Sequence, residues 1–464
     1  MSRDDPRGQD AGTRPRLDIG VVGTGISGLA CSWLLTQSHD LTIYESADRV
    51  GGHANTVEVA TQAGGLPIDT GFIVYNEVTY PNLTALFRHL NVPTRESDMS
   101  FAVSIDEGRM EYAGTNLLGL FAQKRNLARP RFWGMLRDLM RFYREARRDL
   151  PMLERDLSSL DDYLRLGRYG AALRDEHLLP MAAAIWSCPA HEAGLLPAAS
   201  FIRFCDNHGL LQVANRPVWR TVTGGSRAYV ARLTAPFAER IMTNQPVLGI
   251  ERLTKGVRVT TPSGARVHDH VVLACHADEA LALLADGATA GERDRLGAFR
   301  YTRNVAVLHT DTGLMPKRRG VWASWNYLGR SEVGDRRPCV SYWMNRLQGL
   351  PRAGADHLDY FVTLNPPRPP RPGTLLRTEI YTHPVFDPAA IRAQRILWQG
   401  QNEGGVWFCG AYFGAGFHED GLQAGLAVAE ALGGCQRPWS VANPSGRIHL
   451  NAPDERDAAL EVSR

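Results

Sequence analysis

Residues 17–28, Leu-Asp-Ile-Gly-Val-Val-Gly-Thr-Gly-Ile-Ser-Gly, decide the fold. Their first half is mostly apolar, too short for a helix and bounded by glycine, which predicts a buried parallel strand. Their second half is a Gly-x-Gly-x-x-Gly loop, and the residues after it are apolar at helical spacing. Strand, glycine loop and helix in this order predict a nucleotide-binding βαβ unit.

Each glycine of the loop has a separate physical role. Gly23 permits the tight turn, Gly25 lets the backbone approach a pyrophosphate, and Gly28 lets the helix lie close to the strand. The next predicted strand ends at Glu45, 20 residues after Gly25. A carboxylate at that point can accept a hydrogen bond from a ribose hydroxyl. The alternative is a glycine-rich turn without function, but the ordered context favours nucleotide binding.

Composition excludes several classes of protein. A chain of 464 residues is long enough for two domains, and its net charge of +3 gives no electrostatic indication of nucleic-acid binding. The seven cysteines show no Cys-x-x-Cys spacing, which predicts a reducing, cytoplasmic location without a zinc site or disulfide framework. Residues 1–16 are polar, which predicts a disordered leader. No apolar run approaches the roughly 18 residues of a membrane span.

Two further glycine motifs follow Glu45, at Arg49–Gly52 (Arg-Val-Gly-Gly) and Ile68–Phe72 (Ile-Asp-Thr-Gly-Phe). Together they resemble the signature of the flavin amine oxidase superfamily, which includes amine oxidases, protoporphyrinogen oxidase and carotenoid desaturases. The resemblance implies FAD as the cofactor. It also implies that Arg49 pairs with a phosphate and that the following glycine pair admits the pyrophosphate and ribityl chain against bare backbone.

Later segments resemble the same superfamily, at residues 223–226, 245–259, 270–275 and 406–410. In the superfamily, the residue matching Val247 contacts the adenine through its backbone. In members of the superfamily, the last helix also points its N-terminus at the flavin, where the helix dipole favours the negative charge of the reduced ring. The resemblance implies the same role for the helix that begins near Asp420. The cofactor-binding residues implied by the resemblance are Gly23, Gly25, Ile26, Ser27, Gly28, Glu45, Ser46, Arg49, Gly51, Gly52, His53, Thr70, Gly71, Phe72, Val247, Gly410, Asp420, Gly421 and Leu422.

The predicted fold class is α/β: a GR-type Rossmann FAD-binding domain with an inserted α+β substrate domain of the amine oxidase type. We expect the FAD-binding domain to be discontinuous, because its motifs are spread along the chain. Its predicted parts are residues 17–92, 220–298 and 401–436. The predicted substrate domain comprises residues 93–219 and 299–400, and residues 437–464 are predicted to be a tail.

Longer phrases resemble a bacterial subfamily of FAD-dependent oxidoreductases, often encoded beside cyclopropane-fatty-acid-synthase-like methyltransferases. These phrases are residues 69–76, 324–327, 342–345 and 416–421. The resemblance implies a desaturase or oxidase that transfers a hydride to flavin N5 from a hydrophobic substrate, such as a methylated fatty acyl chain. The alternatives are an amine oxidase acting on a small amine or polyamine, and a flavoprotein whose cofactor is structural or non-redox. Amine oxidases typically hold a lysine near N5, and the matching strand, residues 303–308, has none.

The candidate catalytic residues are Tyr412 and His418. Tyr412 follows Gly410 at a position that suits an aromatic residue near the flavin, and His418 lies just before the flavin-facing helix. We also expect residues 381–384 to approach from the substrate domain. A purely structural role is the alternative for each of these side chains. Three further histidines are dispersed without metal-site spacing and are predicted to be structural: His208, His276 and His309.

Residues 116–150 concern access of the substrate. Between residues 121 and 149, nine basic and three acidic side chains give a net charge of +6, interleaved with large apolar side chains. A basic amphipathic helix suits an anionic lipid surface, where each arginine adds about 1 kcal/mol. The alternative is a core-facing apolar stripe with a solvated arginine face. The predicted partners are therefore a hydrophobic or lipid substrate and a membrane surface contacted peripherally, without nucleic acid or metal.

Overall fold

The computed structural model describes residues 15–156, 158–186, 189–212, 216–330, 339–350 and 358–451. The predicted leader lies almost entirely outside these residues. Within the described ranges the strands are β1 (Asp18–Val22), β2 (Asp40–Tyr44), β3 (Thr56–Thr61), β4 (Gly64–Asp69), β5 (Val74–Asn76), β6 (Thr94–Ser97), β7 (Phe101–Ile105), β8 (Met110–Ala113), β9 (Trp219–Val222), β10 (Ile241–Met242), β11 (Gly249–Arg252), β12 (Val257–Thr261), β13 (Gly264–His268), β14 (His270–Leu273), β15 (Arg300–His309), β16 (Trp325–Gly329), β17 (Cys339–Trp343), β18 (Phe361–Leu364), β19 (Leu375–Val385) and β20 (Val406–Phe408).

The α-helices of the same ranges alternate with these strands in the first part of the chain and cluster between β8 and β9. They are α1 (Ile26–Leu35), α2 (Pro81–His89), α3 (Leu117–Leu120), α4 (Pro130–Asp156), α5 (Leu160–Leu166), α6 (Ala171–Leu173), α7 (Leu179–Trp186), α8 (Ala190–Leu195), α9 (Ala198–Asn207), α10 (Arg227–Thr234), α11 (Ala277–Leu284), α12 (Ala290–Gly297), α13 (Met344–Leu347), α14 (Pro388–Ile396) and α15 (His418–Ala431).

A five-stranded parallel sheet forms the nucleotide-binding unit, with the strand order β10-β2-β1-β14-β20. Its central strand β1 is apolar from Ile19 to Val22 because both faces of a parallel sheet are covered, and Ile19 and Val21 are fully buried. The predicted order of strand, glycine loop, helix and second strand is confirmed. The strands of the sheet come from three separate parts of the chain: β1 and β2, β10 and β14, and β20. The sequence motifs of the FAD-binding domain are spread along the chain in the same way.

Helix α15 packs closely against α1 because glycine lies at their interface. A Cβ atom at Gly425 would lie 2.1 Å from the carbonyl oxygen of Ser27, and one at Gly421 would lie 2.9 Å from Cγ2 of Ile26. A larger residue at either position would push the helices apart. The close approach brings the N-terminus of α15 beside the glycine loop.

A mixed seven-stranded sheet forms the second part of the molecule, in the order β19-β15-β18-β17-β16-β7-β8. Helices α4 to α9 contribute to a second hydrophobic core with this sheet. The apolar side chains of α4, including Phe132, Met135 and Phe142, are buried in that core. The apolar stripe of α4 therefore faces the protein core. This was the alternative to membrane binding that the sequence left open for the helix within residues 116–150. No helix in the described residues is both long and apolar enough to cross a bilayer.

The sequence predicted a tail at the C-terminal end of the chain. The described part of this segment, up to residue 451, packs on the nucleotide-binding unit. The Trp439 ring stacks on Trp33 of α1, with a centroid distance of 5.8 Å. Nε of Arg447 lies 2.6 Å from Oδ1 of the buried Asp420. These contacts hold residues 437–451 against α1 and α15.

Candidate active site

The glycine loop between β1 and α1 leaves space beside the carboxyl end of the sheet, where parallel α/β sheets bind ligands. Gly25 has φ −63° and ψ 174°, which any residue can adopt. A Cβ atom at Gly25 would meet no described atom within 4 Å. Neither the backbone conformation nor the neighbouring protein requires glycine here, so the missing side chain keeps room for a ligand.

The other two glycines of the loop are required by the protein itself. Gly23 has φ +100°, which side-chain-bearing residues rarely adopt. A Cβ atom at Gly28 would lie 2.0 Å from the carbonyl oxygen of Gly23. These contacts agree with the roles predicted for the turn and for the close approach of helix and strand.

Glu45 lies directly after β2, and the glycine loop fixes its carboxylate. Oε2 accepts a hydrogen bond from the Thr24 amide at 3.0 Å and another from the Thr24 hydroxyl. Oε1 accepts from the Ala47 amide at 2.8 Å and from the Ser46 hydroxyl at 3.3 Å. The carboxylate is thereby oriented at the end of the strand, where a ribose of a bound dinucleotide would lie.

The glycine pair that follows Arg49 lies against the first loop. Gly51 and Gly52 have φ +115° and +56°, and a Cβ atom at Gly52 would lie 3.0 Å from Cα of Gly25. Nη1 of Arg49 donates to the Gly52 carbonyl at 2.8 Å and holds the turn. A second turn touches this one, because a Cβ atom at Gly71 would lie 2.1 Å from the carbonyl oxygen of His53. The two turns therefore line one side of the space beside Gly25.

Protein contacts account for several other residues of the predicted cofactor set. Ile26, Ser27 and Leu422 are buried in or beside the packing of α1 and α15. Asp420 accepts a hydrogen bond from the Phe417 amide at 2.7 Å and pairs with Arg447. Gly410 has extended backbone, and Val247 is half-buried just before β11.

Three imidazole rings converge beside the turns, and we call His53, His276 and His383 the histidine cluster. The ring centroid of His53 lies 5.5 Å from that of His383 and 6.4 Å from that of His276. His276, predicted to be a hydrogen-bonded structural histidine, has its Nδ1 3.1 Å from Oγ1 of Thr382 and stacks on Tyr301 with a centroid distance of 4.4 Å. It comes three residues after β14, at the carboxyl end of the sheet, and that position is the sequence signal that could have identified it.

Strand β19 brings Tyr381 and His383 to the nucleotide-binding unit, as expected for residues 381–384. The Tyr381 hydroxyl lies 2.7 Å from Oγ1 of Thr70 and accepts from Nδ2 of Asn55 at 3.0 Å. Its ring centroid lies 4.9 Å from that of His53. Tyr381 therefore joins the seven-stranded sheet to the turn that contains Thr70.

The two candidate catalytic residues have different surroundings. His418 is half-buried, its ring stacks on Phe72 at 3.9 Å, and its Nε2 lies 2.6 Å from the Tyr229 hydroxyl. Tyr412 is 2% exposed, and its ring packs at 5.3 Å from Phe299. Its hydroxyl has no hydrogen-bond partner among the described residues. Tyr412 offers a ligand almost no surface, so only His418 joins the site that we describe.

Three imidazoles of the site, those of His53, His383 and His418, have lowered pKa values and are uncharged near neutral pH. Burial lowers the pKa of His418 to about 3 and, with the neighbouring His276, lowers the pKa of His383 to about 4. Burial and the neighbouring cationic groups also place the pKa of His53 well below its ordinary value. The described residues contain no group of His, Cys, Asp and Glu side chains suited to a metal ion.

The two other histidines predicted to be structural lie outside the site. His208 stacks on Phe204 with a centroid distance of 3.8 Å. Nε2 of His309 lies 2.7 Å from Oγ1 of Thr363. Both side chains are buried and packed, which agrees with the prediction.

A match to the protein-family model for flavin-containing amine oxidoreductases covers residues 26–312. A Mycobacterium tuberculosis protein named as a flavin-containing monoamine oxidase is 30% identical over 275 residues. This match covers 56% of the present chain and 56% of the relative, so the chain matches little more than half of that protein's length.

Solved structures resemble the chain over most of its length. A putrescine oxidase superimposes with a TM-score of 0.64 at 15% identity, covering 90% of this chain and 99% of that one. A fatty acid isomerase from P. acnes, described as producing CLA, superimposes with a TM-score of 0.62 at 15% identity, covering 90% and 98%. At this level of identity the likeness establishes the shared fold.

Proposed function

The chain belongs to the flavin-containing amine oxidoreductase family, with FAD as its cofactor, and we propose that it oxidises a hydrophobic, lipid-type substrate such as a methylated fatty acyl chain. Bound FAD supplies a hydride acceptor. The chain's residues must hold the acyl chain beside the glycine turns and exclude water. The clear space at Gly25, the oriented Glu45 carboxylate and the paired turns fit the dinucleotide.

The charge around the histidine cluster carries the proposal. After burial, the groups that most lower the pKa of His53 are His383, His276, His418 and Arg49. Arg49 is a permanent cation, so a substrate ammonium would meet a like charge there, whereas a carboxylate or an uncharged acyl group would not. The buried rings of His383 and His418 are neutral near pH 7 and add hydrogen-bonding groups without charge. This environment supports an acyl substrate over an amine.

Three carboxylates close in sequence to Thr70, His276 and His383 are engaged by the protein. Asp69 accepts hydrogen bonds from Ser226, Thr56 and Gln348. The other two are Glu379, whose Oε1 lies 2.8 Å from Nε of Arg377, and Glu279, which accepts from the His276 amide at 3.0 Å. An amine substrate would have to displace one of these contacts to pair with any of these three carboxylates.

The amine alternative has support of its own, because the Mycobacterium tuberculosis relative is named as a monoamine oxidase. Oxidation of an amine at this site would need an unprotonated amine, since the surroundings of His53 disfavour an ammonium. An amine oxidase would then show activity that rises steeply with pH.

The test compares acyl lipids with amines of the same chain length. The purified holoenzyme is incubated in air with a fatty acid, its thioester, a methylated fatty acyl lipid and the alkyl amine, followed by mass spectrometry and hydrogen peroxide assay. The proposal predicts an acyl product that has lost one hydride and one proton. Oxidation of the amine alone would overturn it, and turnover without net loss of hydrogen would favour the non-redox alternative.

We also propose that the segment of residues 117–129, which comprises α3 and the residues between α3 and α4, contacts an anionic membrane from which the substrate is taken. Leu117 and Leu118 are 74% and 85% exposed, and Trp133 is 49% exposed. The indole of Trp133 donates to the Leu127 carbonyl at 2.9 Å, and its ring centroid lies 5.5 Å from that of Phe121, the residue that follows α3. The basic side chains of Lys124 and Arg125, which lie between α3 and α4, are exposed as well. Exposed apolar and basic side chains in one place suit the interface of an anionic bilayer.

A further inference from the structure

His383 is held in one orientation by a chain of three hydrogen bonds that begins at the backbone. The Val305 amide of β15 donates to Oδ1 of Asn365 at 3.0 Å. Nδ2 of Asn365 then donates to Oδ1 of Asn304 at 2.7 Å, and Nδ2 of Asn304 lies 3.0 Å from Nδ1 of His383. A backbone N–H can only donate, so each amide group in this chain has one possible direction.

A second contact fixes the same direction. Nδ2 of Asn304 also lies 3.2 Å from the carbonyl oxygen of Thr302. A carbonyl oxygen can only accept, so this atom of Asn304 must be the NH2 group. The Asn304 side chain is fully buried, which prevents water from replacing these partners.

The chain of donors decides where the proton of His383 lies. Because Asn304 donates to Nδ1, that nitrogen presents its lone pair, and the proton of the neutral ring is on Nε2. Protonating Nδ1 would break the bond to Asn304 and leave a buried cation beside His276. Burial and His276 lower the pKa of His383 to about 4, so the ring stays neutral at physiological pH.

The Nε2–H group has no partner among the described residues, and the His383 side chain is half-buried beside His53 and Tyr381. The ring therefore presents a single, uncharged hydrogen-bond donor at the site. A ligand that accepts from this unpaired donor gains a hydrogen bond in partly buried surroundings.

We propose that Nε2–H of His383 donates a hydrogen bond to the carboxylate or carbonyl oxygen of the acyl substrate, and that this donor selects against an ammonium group. The inference rests on the acyl substrate proposed above and names the residue that recognises its head group. An ammonium has donors only, so it would face the donor of His383 without a hydrogen bond.

The first experiment measures the tautomer directly. Ring-nitrogen NMR spectra of holoenzyme labelled with 15N-histidine are compared with those of His383→Gln, which removes and so identifies the His383 signals. We expect a neutral ring with the proton on Nε2 from pH 5 to pH 8, below and above the ordinary pKa of about 6.5. A proton on Nδ1, or a charged ring at pH 6, would overturn the proposal.

The second experiment measures recognition with two probes of equal chain length, oleate and oleylamine, by calorimetric titration of the holoenzyme. Loss of the donor in His383→Leu should weaken oleate binding roughly tenfold or more and leave oleylamine nearly unchanged. His383→Gln retains a donor and should keep most of the affinity for oleate. His177→Gln is the matched control, because His177 is a buried histidine in the second core.

The two proposals fail in different ways. An oleate preference that does not depend on His383, or no oleate binding, overturns the role of the donor even where lipids are oxidised. A preference that depends on His383, without oxidation of any acyl lipid, keeps the donor and overturns the proposed oxidase activity.

Discussion

The two variants Gly25→Ala and Gly28→Ala separate cofactor binding from folding. Alanine at position 25 can adopt the observed φ of −63° and ψ of 174°, and its Cβ atom meets no described atom within 4 Å. A compatible Gly-to-Ala exchange gains about 0.4–1 kcal/mol through the unfolded state. Gly25 also precedes the first residue of α1, where alanine is less favourable than glycine by a similar amount. The stability of the apoprotein should therefore change by less than about 1 kcal/mol.

The same methyl group should weaken FAD binding, because it occupies the side from which the pyrophosphate approaches. Forcing an extra methyl group into a packed contact costs about 1–3 kcal/mol. We therefore expect the Kd for FAD to rise roughly 5- to 150-fold. FAD is titrated into apoprotein and followed by quenching of flavin fluorescence, and thermal unfolding of the apoprotein is measured beside it.

Gly28→Ala should show the opposite pattern. Its Cβ atom would lie 2.0 Å from the Gly23 carbonyl oxygen, so α1 must shift away from β1. The apoprotein should lose about 1–3 kcal/mol of stability. Wild-type FAD affinity in Gly25→Ala would refute the placement of the pyrophosphate, and unchanged apoprotein stability in Gly28→Ala would refute the packing argument.

Three further predictions concern stability and the membrane. Glu419→Gln should cost about 1–3 kcal/mol in urea unfolding, because the buried carboxylate of Glu419 accepts hydrogen bonds from the first-turn amides of α2. His177 and His208 have pKa values lowered to about 4 and 3 by burial, against about 6.5 unfolded, so unfolding at pH 5 takes up two protons. Stability should fall as the pH drops below 6.5, by roughly 2.7 kcal/mol per pH unit near pH 5 for the pair, as measured by urea unfolding across that range. The double variant Leu117→Gln/Leu118→Gln should reduce sedimentation with vesicles that contain phosphatidylserine and leave oxidation of detergent-dispersed substrate intact.

Each of these predictions has a matched control. Leu166→Gln removes an equally exposed leucine, 71% exposed on α5, and should not affect vesicle binding. Replacing both buried histidines by phenylalanine should reduce the slope near pH 5 by about 2.7 kcal/mol per pH unit and leave the contributions of His383 and His418, whatever its effect on stability at pH 7. Glu430→Gln changes a carboxylate on the same helix that pairs with Arg437 instead. Equal losses for Glu419→Gln and Glu430→Gln would contradict the role given to the first turn of α2.

Local patterns predicted the nucleotide-binding unit well, because its determinants are close in sequence. The apolar run of β1, the three glycines and Glu45 lie within residues 17–45, and each was assigned from its neighbours alone. Gly421 shows what local patterns miss. The resemblance implied that Gly421 binds the cofactor, and the structure also places it against Ile26, where α15 packs on α1. The sequence could not reveal that contact, because it joins residues almost 400 positions apart.

The meeting of the three rings of the histidine cluster could not be predicted, because its members come from three distant elements. His53 follows the glycine pair, His276 follows β14, and His383 lies on β19. The tautomer of His383 depends further on Asn304 and Asn365, whose side chains meet only when β15 and β18 pair. No spacing along the chain encodes that meeting.

The surface of α4 shows a different limit. Its apolar and basic residues alternate at helical spacing in a way that suits either a membrane or a protein core. Phe132, Met135 and Phe142 are buried in the second core, so the apolar face of α4 packs against the protein and not against a membrane. The exposed Leu117 and Leu118 lie in the short helix α3, where four residues are too few for a periodic pattern to mark them.

Anaerobic reduction of the bound flavin is the most direct test of acyl oxidation at this site. Holoenzyme is mixed under nitrogen with a methylated fatty acyl lipid and, separately, with an alkyl amine of the same chain length, and the visible absorption of oxidised flavin is followed. We predict that the acyl lipid bleaches the flavin and that the amine does not, even at alkaline pH. Bleaching by the amine alone would contradict the assignment of substrate made from the charges around His53.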